Sequence, residues 1–241
     1  MFSETQPFDF ILIHSPLTGP EVWQPVADHL HNKGYAVIVP DLADSADDPR
    51  PFWQQHVESA VAAVHQQLRD PSRLVLAGHS GAGPILPALG ARLPHPPAGY
   101  LFVDAGLPGT EPGSRLDYIR LEGDAPWADE FEQFLREGGR YPNWSEDDLR
   151  DELPEDQGRL VAGTLRPRGL TFFSEPLEPA PTLPDLPGGY LQWSPAYVSS
   201  ADRADGMGWP VLRRPTGHFQ MLIDPESVAE DILTLTGSVG A

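Results

Sequence analysis

The sequence predicts an α/β protein built on one doubly wound, mostly parallel sheet. Three observations carry that expectation. Short apolar runs rich in aromatic and β-branched residues recur along the chain, amphipathic stretches of helical period alternate with them, and a small-residue turn, Gly78-His79-Ser80-Gly81-Ala82-Gly83, joins one run to a following helix. Strand–helix alternation at this rhythm requires right-handed crossovers and hence parallel strands.

In order, Phe8–His14 (FDFILIH) is too short and too apolar for an ordinary helix and reads as a buried strand. Val22–Lys33 carries Val22, Val26 and Leu30 at fourfold spacing and stops at Gly34, which predicts a helix. Tyr35–Pro40 is a second strand, and Phe52–Leu68, with Val57, Val61, Val64 and Leu68 on one face, a second helix. Arg73–Ala77 and Gly99–Val103 are strands three and four, with a small-residue helix over 81–91 between them. After residue 108 the composition shifts: residues 109–186 hold 18 acidic and 8 basic residues and nine prolines. Helices are expected there at Trp127–Glu137 and at Ser145–Leu153, the latter opening on a serine cap, while Phe172–Pro187 is expected to be irregular. The alternation resumes with a strand at Gly189–Trp193, a helix at Ser200–Met207, a strand at Trp209–Arg213 and a closing helix at Pro225–Leu235. The expected division is therefore a core of residues 1–108 and 187–241 and an insertion, 109–186, that is either a lid over a site or a plain surface excursion.

Composition narrows the function. The chain has 241 residues, 35 acidic against 16 basic, a formal net charge of −19, 40% hydrophobic residues and no cysteine. That charge disfavours nucleic acid and anionic lipid as partners. The missing cysteines remove disulfides, thiolate metal sites and cysteine nucleophiles. No run approaches the roughly 20 apolar residues of a membrane span, and no basic-then-apolar N-terminal stretch reads as a signal peptide. The expectation is a cytoplasmic protein that acts on a small-molecule substrate without cofactor or metal; the sequence assigns no oligomeric state.

Ser80 lies in a sharp strand-to-helix turn, where strained backbone exposes a hydroxyl and small neighbours allow the two elements to approach. The helix N-terminus behind it directs N–H groups toward developing negative charge. The strict pattern is G-x-S-x-G, and Ala82 departs from it by one methyl. A phosphate loop competes poorly because no lysine follows. A serine hydroxyl needs an adjacent base. His218, in Gly217-His218-Phe219 between the last strand and the closing helix, supplies one, since an unperturbed imidazole titrates near pH 6.5. The remaining histidines, His29, His31, His56, His65 and His95, lack metal-ligand spacing and read as surface residues. Glu146-Asp147-Asp148 lacks calcium-loop spacing and reads as a solvated helix face.

His14 after the first strand, Trp23, Val39-Pro40-Asp41-Leu42, the Gly78–Gly83 turn, and Gly217-His218-Phe219 before Asp224-Pro225 stand in an order that resembles the α/β-hydrolase superfamily, in its serine-nucleophile branch. The resemblance implies Ser80 as nucleophile, His218 as general base and the insertion as a helical cap. It also implies a shortened N-terminal sheet edge, since the two strands that often open the fold are not visible.

Two departures from the family pattern matter. The acid usually follows the strand after the cap, but Ser194-Pro195-Ala196-Tyr197 offers no carboxylate before Asp202. Asp104, closing the fourth strand at the edge where ligands of open α/β sheets bind, is the preferred acid, with Asp202 and Asp205 behind it. For the oxyanion, Gly81 N–H is one expected donor. Pro16 has no N–H, so Leu17 N–H is the choice for the second, with the Ser15 and Thr18 hydroxyls as alternatives. Lacking a second donor, acyl transfer would lose about 2.7–4 kcal/mol of transition-state stabilisation. His14, His79, Trp127 and Phe131 are candidates for a substrate pocket; the aromatics of the insertion, Trp127, Phe131, Phe134, Trp144, Phe172 and Phe173, either line an apolar pocket or only anchor the cap.

The reading is a serine hydrolase of a small ester, thioester or lactone. Its rivals are a lyase or cyclase using Ser80 and His218 for proton transfer, and a catalytically silent small-ligand-binding protein.

Overall fold

The computed structural model describes residues 8–68, 73–121, 125–180 and 182–239. The core elements up to the fourth strand are β1 (Asp9–Ile13), α1 (Gln24–Asn32), β2 (Ala36–Ile38), α2 (Phe52–Gln67), β3 (Leu74–Ser80), α3 (Leu86–Gly90) and β4 (Gly99–Ala105). Five helices follow: α4 (Arg115–Leu121), α5 (Ala125–Arg136), α6 (Glu146–Leu149), α7 (Glu155–Thr164) and α8 (Leu170–Ser174). The chain then returns through β5 (Gly188–Gln192), α9 (Val198–Gly206), β6 (Val211–Arg213), α10 (Gln220–Ile223) and α11 (Pro225–Val239).

All six strands pair in parallel, in the order β2-β1-β3-β4-β5-β6. The winding direction reverses between β1 and β3, which puts the switch point at the loop after β1 and the turn after β3. Alternation along the strands divides the core into two layers. Ile11, Leu74, Leu76, Phe102 and Tyr190 face Val57, Ala60 and Val64 of α2, Leu86 and Leu89 of α3, and Ala201 and Ala204 of α9. Phe10, Leu12, Val75, Leu101 and Leu191 face Val26 and Leu30 of α1 and Val228, Ile232 and Leu235 of α11. Strands buried on both faces explain the unbroken apolar runs.

The expected helices differ from the observed ones in four places, one being the helix expected over Ser145–Leu153, which forms only as Glu146–Leu149. The stretch predicted over 81–91 begins as a 3-10 turn, Gly83–Ile85, before the short α3, because Pro84 and Pro87 each remove a helical N–H. The helix predicted from Val22 begins with a 3-10 turn at Pro20–Trp23, and Pro25 opens α1 proper. Within 109–186, α4 and α7 were not anticipated, and α8 occupies the start of the stretch expected to be irregular.

The helices between β4 and β5 are tied to the core by buried polar groups. Leu116, Phe131, Leu135, Phe172 and Phe173 form a small core of their own. Glu175 accepts the backbone N–H groups of Phe52 (2.8 Å) and Trp53 (3.1 Å), capping the first turn of α2, where Pro51 offers no side-chain cap. Arg115 donates to Glu175 at 2.9 Å and to the Phe172 carbonyl at 3.0 Å, with its guanidinium 3.9 Å from the Phe172 ring centre. Arg168 pairs with Asp44 through both nitrogens (2.8 and 2.6 Å), and His56 meets the same carboxylate at 2.8 Å. His56 is thus fully buried and paired, not a surface residue. The Glu146-Asp147-Asp148 run does form the exposed start of α6, where Asp148 and Ser145 make a reciprocal cap. No helix among the described residues is long and apolar enough to cross a membrane.

Candidate active site

Ser80 and Asp104 are the non-glycine residues with positive φ among those described, at +55° and +42°. Both stand at the C-terminal ends of adjacent strands, where the β3–β4 register shifts between His79 and Ser80. Such backbone is strained for an L-residue and aims the side chain off the sheet edge. The turn's small residues divide the labour unevenly. A Cβ on Gly83 would lie 2.0 Å from the Gly106 carbonyl oxygen, so glycine is required there. Ala82 has an ordinary φ of −82°, and its N–H donates to the His79 carbonyl at 3.0 Å. The methyl that departs from the strict motif is therefore accommodated.

The turn after β3, the end of β4 and the loop before α10 converge. Ser80 Oγ lies 3.1 Å from His218 Nε2, and His218 Nδ1 lies 2.7 Å from Asp104 Oδ2. Asp104 is completely buried and accepts three further hydrogen bonds, from Trp193 N (2.8 Å), Ser194 N (2.9 Å) and Ser194 Oγ (2.7 Å). The loop after β5, which carries no acid, supplies the donors that hold the acid of β4. An ionised carboxylate accepts only, so His218 Nδ1 carries the proton and Nε2 is left as the acceptor facing Ser80. Asp202 is exposed and paired with Arg213 at 2.7 Å; Asp205 is exposed on α9. Neither stands where Asp104 stands.

His79 is buried beside His218, with ring centroids 4.4 Å apart, and its Nε2 donates to the His218 carbonyl at 3.0 Å. Burial, assisted by the neighbouring imidazole, holds His79 well below the usual imidazole range. It is a neutral spacer that fixes the backbone carrying His218.

The expected oxyanion donors occupy the cavity wall, with one difference. Leu17 N–H points to Ser15 Oγ at 3.3 Å, and Thr18 Oγ1 donates to the Ser15 carbonyl at 3.3 Å. The loop after β1 thus folds back on Ser15, whose hydroxyl packs 3.2 Å from the position of a Cβ on Gly81. His14 does not reach the cavity. Its Nδ1 donates to the Ser15 carbonyl (2.7 Å) and its Nε2 accepts from Leu42 N–H (3.1 Å), so both ring nitrogens are committed to fixing loops.

A cavity of about 610 Å³ opens above Ser80. Its floor holds Ser80, Gly81, His79 and His218, and its walls carry Trp127, Phe131, Tyr141, Trp144, Phe172 and Phe173 from between β4 and β5. Phe134 instead packs over Gly139 outside it. Trp127 stacks on Phe131 at 4.9 Å and remains 43% exposed, at the rim. The charged wall residues are Arg115, already neutralised by Glu175, and exposed Glu152. Tyr197, which sequence reasoning passed over, also lies in the wall, with its hydroxyl 3.1 Å from Ser80 Oγ. The only sequence signal for it was its place in the loop where the acid is ordinarily sought. Among the described residues, no cluster of three or more His, Asp or Glu side chains could hold a metal ion.

Chemically, this arrangement can move a proton from a serine hydroxyl to an oriented imidazole within a largely apolar cavity.

No curated protein sequence matches the chain. Its fold is shared with solved structures of low identity. An extracellular α/β-hydrolase from a Paenibacillus species is 20% identical with a TM-score of 0.75, over 95% of this chain and 99% of that one. Polyneuridine aldehyde esterase is 17% identical with a TM-score of 0.71, over 96% and 100%. Tomato methylketone synthase I, complexed with 2-tridecanone, is 14% identical with a TM-score of 0.69, over 98% and 100%. The sequence model of the alpha/beta hydrolase family matches residues 10–231, nearly the whole sheet and everything inserted into it, and the chain belongs to that family.

Proposed function

We propose that the protein is a serine hydrolase of small-molecule esters, thioesters or lactones that works through an acyl-enzyme on Ser80. The observation that carries this reading is the continuous hydrogen-bond chain from Asp104 through His218 to Ser80, at 2.7 and 3.1 Å, on the floor of the cavity. Ser80 Oγ attacks the carbonyl carbon as His218 Nε2 takes its proton. Asp104 holds the ring in the required tautomer and stabilises the imidazolium. The leaving group departs with the proton held by His218, and water repeats the sequence to free the acid. Gly81 N–H, together with Leu17 N–H once the substrate displaces its long contact to Ser15, holds the oxyanion. Residues 109–186 act as the cap that excludes water, and their aromatic wall favours apolar, uncharged substrates. The esterase among the structural relatives is consistent with this chemistry but is too distant to name a substrate.

The Ser15–Leu17 contact favours one second reading, in which a pre-occupied oxyanion side directs Ser80 and His218 to proton transfer in a lyase or cyclase. A fluorophosphonate probe separates the two. Hydrolysis predicts covalent labelling of the wild type and none of Ser80→Ala. Equal labelling of both, or no labelling and no turnover across a panel of esters, thioesters and lactones, sinks the hydrolase reading.

A further inference from the structure

The loop after β5 places a side chain on the nucleophile that a three-residue relay does not require. Tyr197 ends the 3-10 turn Pro195–Tyr197 and lies half-buried in the cavity wall. Its hydroxyl is 3.1 Å from Ser80 Oγ, and its ring stacks on His218 with centroids 5.4 Å apart and planes 17° apart. The stacking holds the tyrosine ring against the imidazole, and both the hydroxyl and Nε2 stand 3.1 Å from Ser80 Oγ. Hydrogen assignment then follows from Asp104. With His218 Nδ1–H directed to the carboxylate, Nε2 accepts the Ser80 hydrogen, and the hydrogen between Tyr197 and Ser80 belongs to tyrosine.

We propose that Tyr197 is a further catalytic residue, donating a hydrogen bond to the leaving-group oxygen during acylation; this rests on the serine-hydrolase reading above. As Ser80 Oγ bonds to the acyl carbon, the lone pair that accepted from Tyr197 becomes a weak acceptor, and the carbonyl π pair moves onto the oxyanion. The departing oxygen must approach Nε2 to receive the proton that His218 took from Ser80. That route brings it toward the Tyr197 hydroxyl, which shares Ser80 Oγ with the same nitrogen. When the acyl C–O bond breaks, its electron pair takes the proton from His218. Tyr197 keeps its own proton and offers only a hydrogen bond to the developing alkoxide. Its effect therefore grows with the basicity of the leaving group.

The test is Tyr197→Phe, which removes the hydroxyl and keeps the ring stacked on His218. kcat/KM, which reports the steps through acylation, is measured over esters of one acid with alcohols of graded acidity. The variant is expected to lose about 10- to 100-fold on methyl or ethyl esters, the scale of one hydrogen bond to a charged group. On p-nitrophenyl esters, whose leaving group needs little help, the expected loss is within about threefold. An unchanged thermal midpoint and continued labelling of Ser80 by the fluorophosphonate show that the variant is folded. An equal loss for every leaving group, as a merely positional role would give, or no loss at all, overturns the inference while leaving the hydrolase reading standing. A wild type that hydrolyses none of the series and resists labelling overturns both.

Discussion

At the residue scale, three local signals made the proposed relay legible. Ser80 sits in a small-residue turn, Asp104 closes an apolar strand and His218 precedes the closing helix; each is recognisable within a few neighbours. Tyr197 and Ser194 were not legible in that way, because their roles depend on contacts with residues far away in sequence. His14 misled for a related reason: it stands at the switch point, yet its ring serves two backbone groups. The acid assignment gives a sharp expectation. Asp104→Asn should lower kcat by about 10³–10⁴-fold, since the amide would favour the wrong His218 tautomer. Asp202→Asn removes only an exposed pair with Arg213, which contributes about 0–1 kcal/mol to stability, and should leave kcat near wild type. Steady-state kinetics on both variants check this, and a reversed order would move the acid to α9.

At the element scale, strands and long amphipathic helices announced themselves by period, whereas α4, α7 and α8 did not. They are short and lie in an acidic, proline-rich stretch; α4 and α8 share a small core with α5, while Val161 of α7 joins the layer packed on the sheet with α1 and α11. The attachment of α4 and α8 turns on Glu175. Glu175→Ala should uncap α2 and leave Arg115 charged, buried and unpaired, at a cost of about 3–5 kcal/mol. Thermal unfolding measures the loss, and hydrogen exchange should report loosening at the start of α2 and around Phe172. Exchange unchanged at both places would contradict the tie. In the Ser80 turn, Gly83→Ala drives a methyl into the Gly106 carbonyl and should destabilise by about 1–3 kcal/mol or more.

At the scale of the whole molecule, the net charge of −19 is uneven, with residues 109–186 contributing −10. Most of the described acids of that segment are exposed, Glu175 being buried, while the cavity wall it contributes is largely aromatic. Acid sensitivity follows from the buried Asp44–His56–Arg168 cluster. Burial, with the nearby Arg115 and Arg168 charges adding to it, outweighs the Asp44 contact and holds His56 down to about 4. Burial alone would raise Asp44, but its hydrogen bonds to His56 and Arg168 take it well below the usual carboxylate range. The unfolded chain protonates His56 near 6.5 and the folded one near 4, so this stability is complete above pH 6.5 and is lost on going down to pH 4, by about 3 kcal/mol. The depressed Asp44 carboxyl adds a further loss below about pH 4. The thermal midpoint of the wild type should therefore fall more steeply between pH 6.5 and 4 than that of His56→Gln. Parallel curves would contradict the assignment.

An acyl-enzyme on Ser80 is detectable by rapid-quench intact-mass analysis during turnover of an activated ester. A transient mass increase equal to the acyl group is expected, mapped to the peptide bearing Ser80 and absent from Ser80→Ala and His218→Ala. Turnover without any adduct, or an adduct that persists in Ser80→Ala, would contradict it.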